Sequence, residues 1–162
     1  MIGPINYFLS KKSHLFMLVK NNIIKSINTP PTVFFETLPE NLEENFKKTK
    51  FLLKEMNTLS RKNKIKFVVV IIPSKIQVSD RHWEEYQKSY ENVSTSRYMP
   101  QKTILDFCIK NKILCIDLFP EFLKIANKGD YYFEIDGHWN EKGHELASNL
   151  IYEELRDEGT VG

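Results

Sequence analysis

The residues best suited to chemistry lie near the end of the chain, in Glu134-Ile135-Asp136-Gly137-His138-Trp139-Asn140. A carboxylate two residues before a histidine can orient the imidazole. Asp136 would accept a hydrogen bond from one ring N–H, which leaves the other nitrogen to act as a base. Gly137 gives the loop freedom to bend between them. The same spacing also fits a surface histidine beside a helix N-cap, and spacing alone does not separate the two. A second segment, Pro73-Ser74-Lys75, directly follows a long apolar run. Lys75 is a candidate substrate-binding residue for a carboxylate or a sugar, or else a solvated charge. Ser74 has no strained elbow around it and is read as bonding the backbone of its own turn. His144 lies six residues past His138, roughly 240° round a helix, so the two do not share a face. A metal site built from Asp136, His138 and His144 is therefore not expected, and no cofactor is expected either. His82-Trp83 has two readings: a flat face for a sugar ring, or an indole buried to anchor a surface loop.

Strands and helices must bring these groups together. Phe67-Val68-Val69-Val70-Ile71-Ile72, closed by Pro73, is apolar, mostly β-branched and without alternation. That is the pattern of a parallel strand buried on both faces. Ile113 to Leu118 reads as a second, shorter strand. Helices are expected over about 6–27, from Thr37-x-x-Glu40 to about Arg61, over 101–112, over 119–127 and over about 141–156. In the second of these, Thr37 and Glu40 fit a capping box with Pro39 in the first turn. Glu43–Lys47 and Glu44–Lys48 support its exposed face. Residues 80–99 read as a short helix and a loop. The last helix has Asn140 as N-cap, with Leu146, Ala147, Leu150, Ile151 and Leu155 on its buried face. Strands alternating with helices argue for a parallel α/β sandwich. In such sheets ligands sit beyond the carboxyl ends of the strands, which both chemical segments would reach. Only two strands are found, however, and the first looks central.

Bulk composition narrows the function classes. A chain of 162 residues with 41% hydrophobic and 27% charged residues is neither a disordered tail nor a membrane bundle. The net charge of +2 weakens any case for a nucleic-acid partner. Residues 1–75 carry 13 basic and 5 acidic side chains, and residues 76–162 carry 10 and 16. The basic half fits either two Lys-rich surface helices or a face turned toward a partner or a membrane. Cys108 and Cys115 both have apolar neighbours and are expected as buried free thiols. No apolar run approaches the ~20 residues of a membrane span, and residues 1–20 make a poor signal peptide.

The stretch from Tyr132 to His144, Tyr-Phe-Glu-Ile-Asp-Gly-His-Trp-Asn-Glu-Lys-Gly-His, resembles the last block of SGNH (GDSL-type) hydrolases. In that family this block carries the acid and the histidine of a Ser-His-Asp triad. Its two-residue spacing and the following Trp139 look most like the branch of polysaccharide O-acetyl-transfer and deacetylation enzymes. The wider family more often spaces acid and histidine as Asp-x-x-His. Ile71 to Val78 is similar to the end of a late strand in these proteins. The resemblance implies a flavodoxin-like, three-layer α/β/α sandwich over residues 38–156, with residues 1–37 as an N-terminal helix and linker of the same single domain. It also implies Asp136 and His138 as the catalytic pair. In the family the nucleophilic serine follows the first strand in a Gly-Asp-Ser block, and no Gly-Asp-Ser occurs here. The chain therefore looks like the C-terminal half of such an enzyme, without the N-terminal strands, the serine or the oxyanion hole.

Three functions are compatible with this reading. The first is part of an ester hydrolase or acyl-transfer enzyme acting on a small-molecule or glycan ester. The second is a non-catalytic module that self-associates or completes another chain's sheet through an exposed edge. The third is a truncated gene product without activity of its own.

Overall fold

The computed structural model describes residues 31–125, 130–134 and 137–161. The helix expected over 6–27 and the residue Asp136 lie outside them. The chain divides into two compact units, residues 1–31 and 32–162, and every element described here belongs to the second.

A 3-10 turn, Thr32–Phe34, precedes α1, Glu40–Lys62. Pro39, not Thr37, caps α1: the Pro39 carbonyl accepts from the N–H groups of Leu42 and Glu43, and no side chain caps the end. The expected capping box is not formed, because proline's own geometry already starts the helix. The exposed pairs Glu43–Lys47 and Glu44–Lys48 close at 3.4 and 2.8 Å.

β1, Val68–Ile71, and β2, Leu114–Asp117, form a two-stranded parallel sheet with Val68 opposite Leu114 and Ile71 opposite Asp117. The crossover between them carries three helices: α2, Lys75–Val78; α3, Asp80–Lys88; and α4, Met99–Asn111. After β2 come α5, Phe119–Ile125, and α6, Glu141–Asp157. Two parallel strands joined through helices make this an α/β fold.

The sheet uses its two faces differently, as the alternation of strand side chains requires. Val68, Val70 and Ile116 pack with Leu118, Phe122 and Ala147, and with Leu146, Leu150, Ile151 and Leu155 of α6. The buried face expected for α6 is thus the observed one. On the opposite face, Cys115 of β2 is joined to Cys108 of α4 by a disulfide across 6.2 Å between Cα atoms. This corrects the expectation of free thiols. The two cysteines are seven residues apart in sequence, and the chain doubles back between them through Lys112, whose φ of 53° closes α4 in the left-handed region.

The expectation that β1 is buried on both faces also needs correction. All four of its residues are only half-buried. Among the described residues β1 pairs with β2 alone, so its second edge lacks a neighbouring strand. A second cluster, Phe34, Trp83 and Tyr86, anchors α3 to the segment before α1. Phe34 meets both rings edge-on at 5.7 and 5.3 Å. Trp83 is therefore a core residue on a helix, with Arg97 over its ring at 5.3 Å.

Candidate functional site

The turn leaving β1 is held by side chains that the sequence does not single out. Gln77 is buried. Its Oε1 accepts from the Ser74 N–H at 2.9 Å. Its Nε2 donates to Gln101 Oε1 and to the Arg97 carbonyl, both at 2.7 Å. Burying the Gln77 amide costs little because both its oxygen and its nitrogen are hydrogen-bonded. No periodicity predicts which glutamines will be buried; only the packing of α4 over α2 decides it.

Residues 131–134 and 137–140 run antiparallel and form an arm. Tyr132 bridges Trp139, the Phe133 N–H donates to the His138 carbonyl at 2.8 Å, and the Asn140 N–H donates to the Tyr131 carbonyl at 3.1 Å. Gly137, at φ +71°, takes the left-handed conformation that the turn needs directly before His138. Asn140 closes the arm. Its Oδ1 accepts from the Gly143 N–H at 3.1 Å as the N-cap of α6, and its Nδ2 donates to the Asp130 carbonyl at 2.7 Å. Gly143 itself is required by space. A Cβ there would run into the Tyr131 carbonyl oxygen and lie 2.9 Å from the Trp139 Cβ.

Several contacts of the described residues dock the arm on the body. The Tyr132 hydroxyl donates to the Pro73 carbonyl at 3.0 Å. Burial pushes its pKa up to about 12, so the phenol stays a neutral donor at any ordinary pH. Lys75 Nζ donates to the carbonyls of Phe133 and Glu134 at 3.1 and 3.2 Å. The Trp139 indole stacks on Phe122, with centroids 5.1 Å apart and planes 15° from parallel.

Docking leaves a cavity of about 420 Å³ at the carboxyl end of β1. Ile72, Pro73 and Ser74 form one wall, and Tyr132, His138, Trp139 and His144 form the other. His138 is exposed at this wall. His144 packs edge-on against Trp139 at 5.6 Å, so the two histidines share a cavity although they do not share a helix face. Of the residues picked from sequence, the structure brings His138, His144 and Ser74 to one cavity and sets Lys75 beside it. Asp136 is outside the described residues. Among those residues, no group of three or more His, Cys, Asp or Glu side chains could hold a metal ion.

His82 does not join this cavity. Its Nδ1 lies 2.8 Å from Ser79 Oγ in the cap of α3. Burial, then the charge of Lys75, moves its pKa below the ordinary value. A larger groove of about 580 Å³ runs between α1 and α4, over Phe46 and Phe107, and holds none of the chemical residues named from the sequence.

The family model of the SGNH hydrolase-like domain of the acetyltransferase AlgX matches residues 35–162, which include β1, β2, the arm and α6. No curated protein and no solved structure matches the chain significantly. The family match supports an acyl-related function of the SGNH type, and on it the chain belongs to the SGNH hydrolase-like domain family.

Proposed function

We propose that this chain supplies the base of an SGNH-type acyl-ester site, acting on a small-molecule or glycan ester. The observation that carries the reading is the position of His138. It sits on a docked arm at the carboxyl end of β1, in the wall of a 420 Å³ cavity, where ligands of α/β sheets bind. In this reading Asp136 orients the imidazole. His138 takes the proton of a serine hydroxyl as that oxygen attacks the ester carbonyl, and then gives it to the departing alkoxide. The serine and the oxyanion donors come from polypeptide outside this sequence, which contains no Gly-Asp-Ser. The third N–H of Lys75, beyond the two given to carbonyls, is the substrate contact. Further strands on the open edge of β1 would complete a flavodoxin-like three-layer α/β/α sandwich.

The test is to supply a serine-bearing SGNH segment in the same polypeptide or in trans, and to probe with a fluorophosphonate. The assembled protein should label and turn over an acetyl ester. The 162-residue chain alone should not label, and labelling would refute a nucleophile outside it. His138→Ala should reduce turnover of the assembled enzyme by on the order of 10³-fold or more, with an unchanged circular dichroism spectrum. Normal turnover in that variant would refute the assignment.

A second reading is favoured by the unpaired edge of β1. A non-catalytic module could use that edge to pair with another chain or with its own copy. Light scattering separates the cases: a well-folded monomer at micromolar concentration counts against pairing through the edge.

A further inference from the structure

We infer that Lys75 is the positioning residue of His138, in addition to any contact with substrate. This rests on the reading of His138 as the base.

The arm is held differently along its length. Its base is well fastened: Tyr132 bridges Trp139, the Tyr132 hydroxyl reaches Pro73, and Trp139 stacks on Phe122. Among the described residues beyond Tyr132 and Trp139, a cross-arm backbone bond runs from the Phe133 N–H to the carbonyl of His138 itself. Phe133 and Glu134 are both exposed. The Phe133 and Glu134 carbonyls converge on one ammonium, at 3.1 and 3.2 Å from Lys75 Nζ. Charge-assisted bonds of this kind are roughly twice as strong as neutral ones.

Lys75 is itself fixed from behind. It opens α2 directly after the Ser74 turn, which Gln77 holds from within the protein. Its Cβ lies 4.0 Å from where a Cβ on Gly137 would stand, so the stem runs past the turn residue before His138. A chain of short contacts therefore leads from the β1 turn, through Lys75, to Phe133, and across the arm to the backbone of His138. Removing the ammonium loosens Phe133 and Glu134 while leaving the docked base in place. The backbone that carries the imidazole would then be held less closely, and proton transfer is sensitive to displacements of about 1 Å.

Hydrogen exchange on the full 162-residue chain tests this without reference to activity. In Lys75→Met the Phe133 amide should exchange about tenfold faster or more, while the amides of α6 keep their protection. Lys75→Arg restores a cation and two donors and should return Phe133 to within about threefold of the parent. Unchanged exchange of Phe133 in Lys75→Met overturns the inference, and so does failure of Lys75→Arg to restore protection. In the serine-supplied enzyme, Lys75→Met should lower kcat about tenfold, beyond any rise in KM, with recovery in Lys75→Arg. A rise in KM alone would make Lys75 a substrate contact only and overturn the positioning role. If the assembled parent enzyme has no turnover while the exchange result holds, the reading of His138 as a base fails and the clamp on its loop stands.

Discussion

The two sides of the sheet's surroundings are built by different rules. On the side of α5, α6 and the arm, Phe122, Leu118 and Ala147 are almost fully buried, and the Pro73 carbonyl and the Lys75 ammonium at the end of β1 meet partners 58 and 59 residues away in sequence. On the side of α1, a helix of 23 residues has no buried residue. Leu52, Met56 and Leu59 recur along one stripe of α1 and are 59%, 52% and 63% exposed. Their stripe lies about 100° from the half-buried stripe of Phe46, Leu53 and Asn57. α1 half-buries one stripe and leaves the apolar residues of the other exposed, and among the described residues β1 pairs on one edge. The side that carries His138 is thus self-sufficient in this chain, whereas the other presents apolar surface without a partner among the described residues. The cavity wall can be organised at the end of a two-stranded sheet because its contacts are local to the strand ends, whereas β1 leaves one edge unpaired among the described residues.

That contrast predicts unequal responses to mutation. The largest effect should come from Phe122→Ala, which empties the position under Trp139: a loss of about 3–5 kcal/mol in urea unfolding is expected. Leu52→Ala on α1 should change stability by less than about 0.5 kcal/mol. Equal losses at the two positions would erase the distinction between the sides. Next is Gly143→Ala, where a methyl must displace the Tyr131 carbonyl or the Trp139 side chain; about 3 kcal/mol is expected. Its tryptophan fluorescence should also shift, because Trp139 moves with the arm. Opening the Cys108–Cys115 disulfide, by reductant or by Cys115→Ser, should cost about 2 kcal/mol through the loop it closes in the unfolded chain. Because that link lies on the face away from the arm, exchange of the Phe133 amide should stay unchanged.

The smallest effect concerns pH. Burial holds the Asp117 carboxyl above its ordinary value of 3.8, against the opposing bonds from the Phe119 N–H and the Tyr98 hydroxyl. The folded state then binds this proton more tightly than the unfolded chain does. Its contribution is fully present below the ordinary value and is lost as pH rises through the raised folded value. Asp117→Asn keeps an oxygen for the Phe119 N–H, which donates at 3.0 Å, and removes the buried charge. It should therefore be slightly more stable than the parent at neutral pH and no more stable in acid. A variant less stable at neutral pH would show that the carboxylate is stabilising.

Part of the candidate site is readable in the sequence alone. His138 and Asn140 stand out because type, spacing and a cap residue all occur within one short loop; His138 lines the cavity, and Asn140 caps α6 as expected. The strands could be found because a β-branched run between breakers has few alternatives. Thr37 misled because a capping-box pattern says nothing about proline two residues later starting the helix by itself. Cys108 and Cys115 misled because apolar neighbours describe burial, whereas a disulfide depends on a 6.2 Å approach that only the fold of α4 over β2 creates.

The amino-acid sequence by itself determined the local elements, the chemistry available at His138 and the family to which the chain belongs, since these depend on residue types within a few turns of one another. Only the tertiary structure decided that Lys75 reaches the arm 58 residues away, that Gln77 and Gln101 pair inside, and that His138 and His144 face one cavity. Those outcomes depend on which surfaces are pressed together, and hydrogen bonds across that distance form only after hydrophobic packing has placed their partners within about 3 Å.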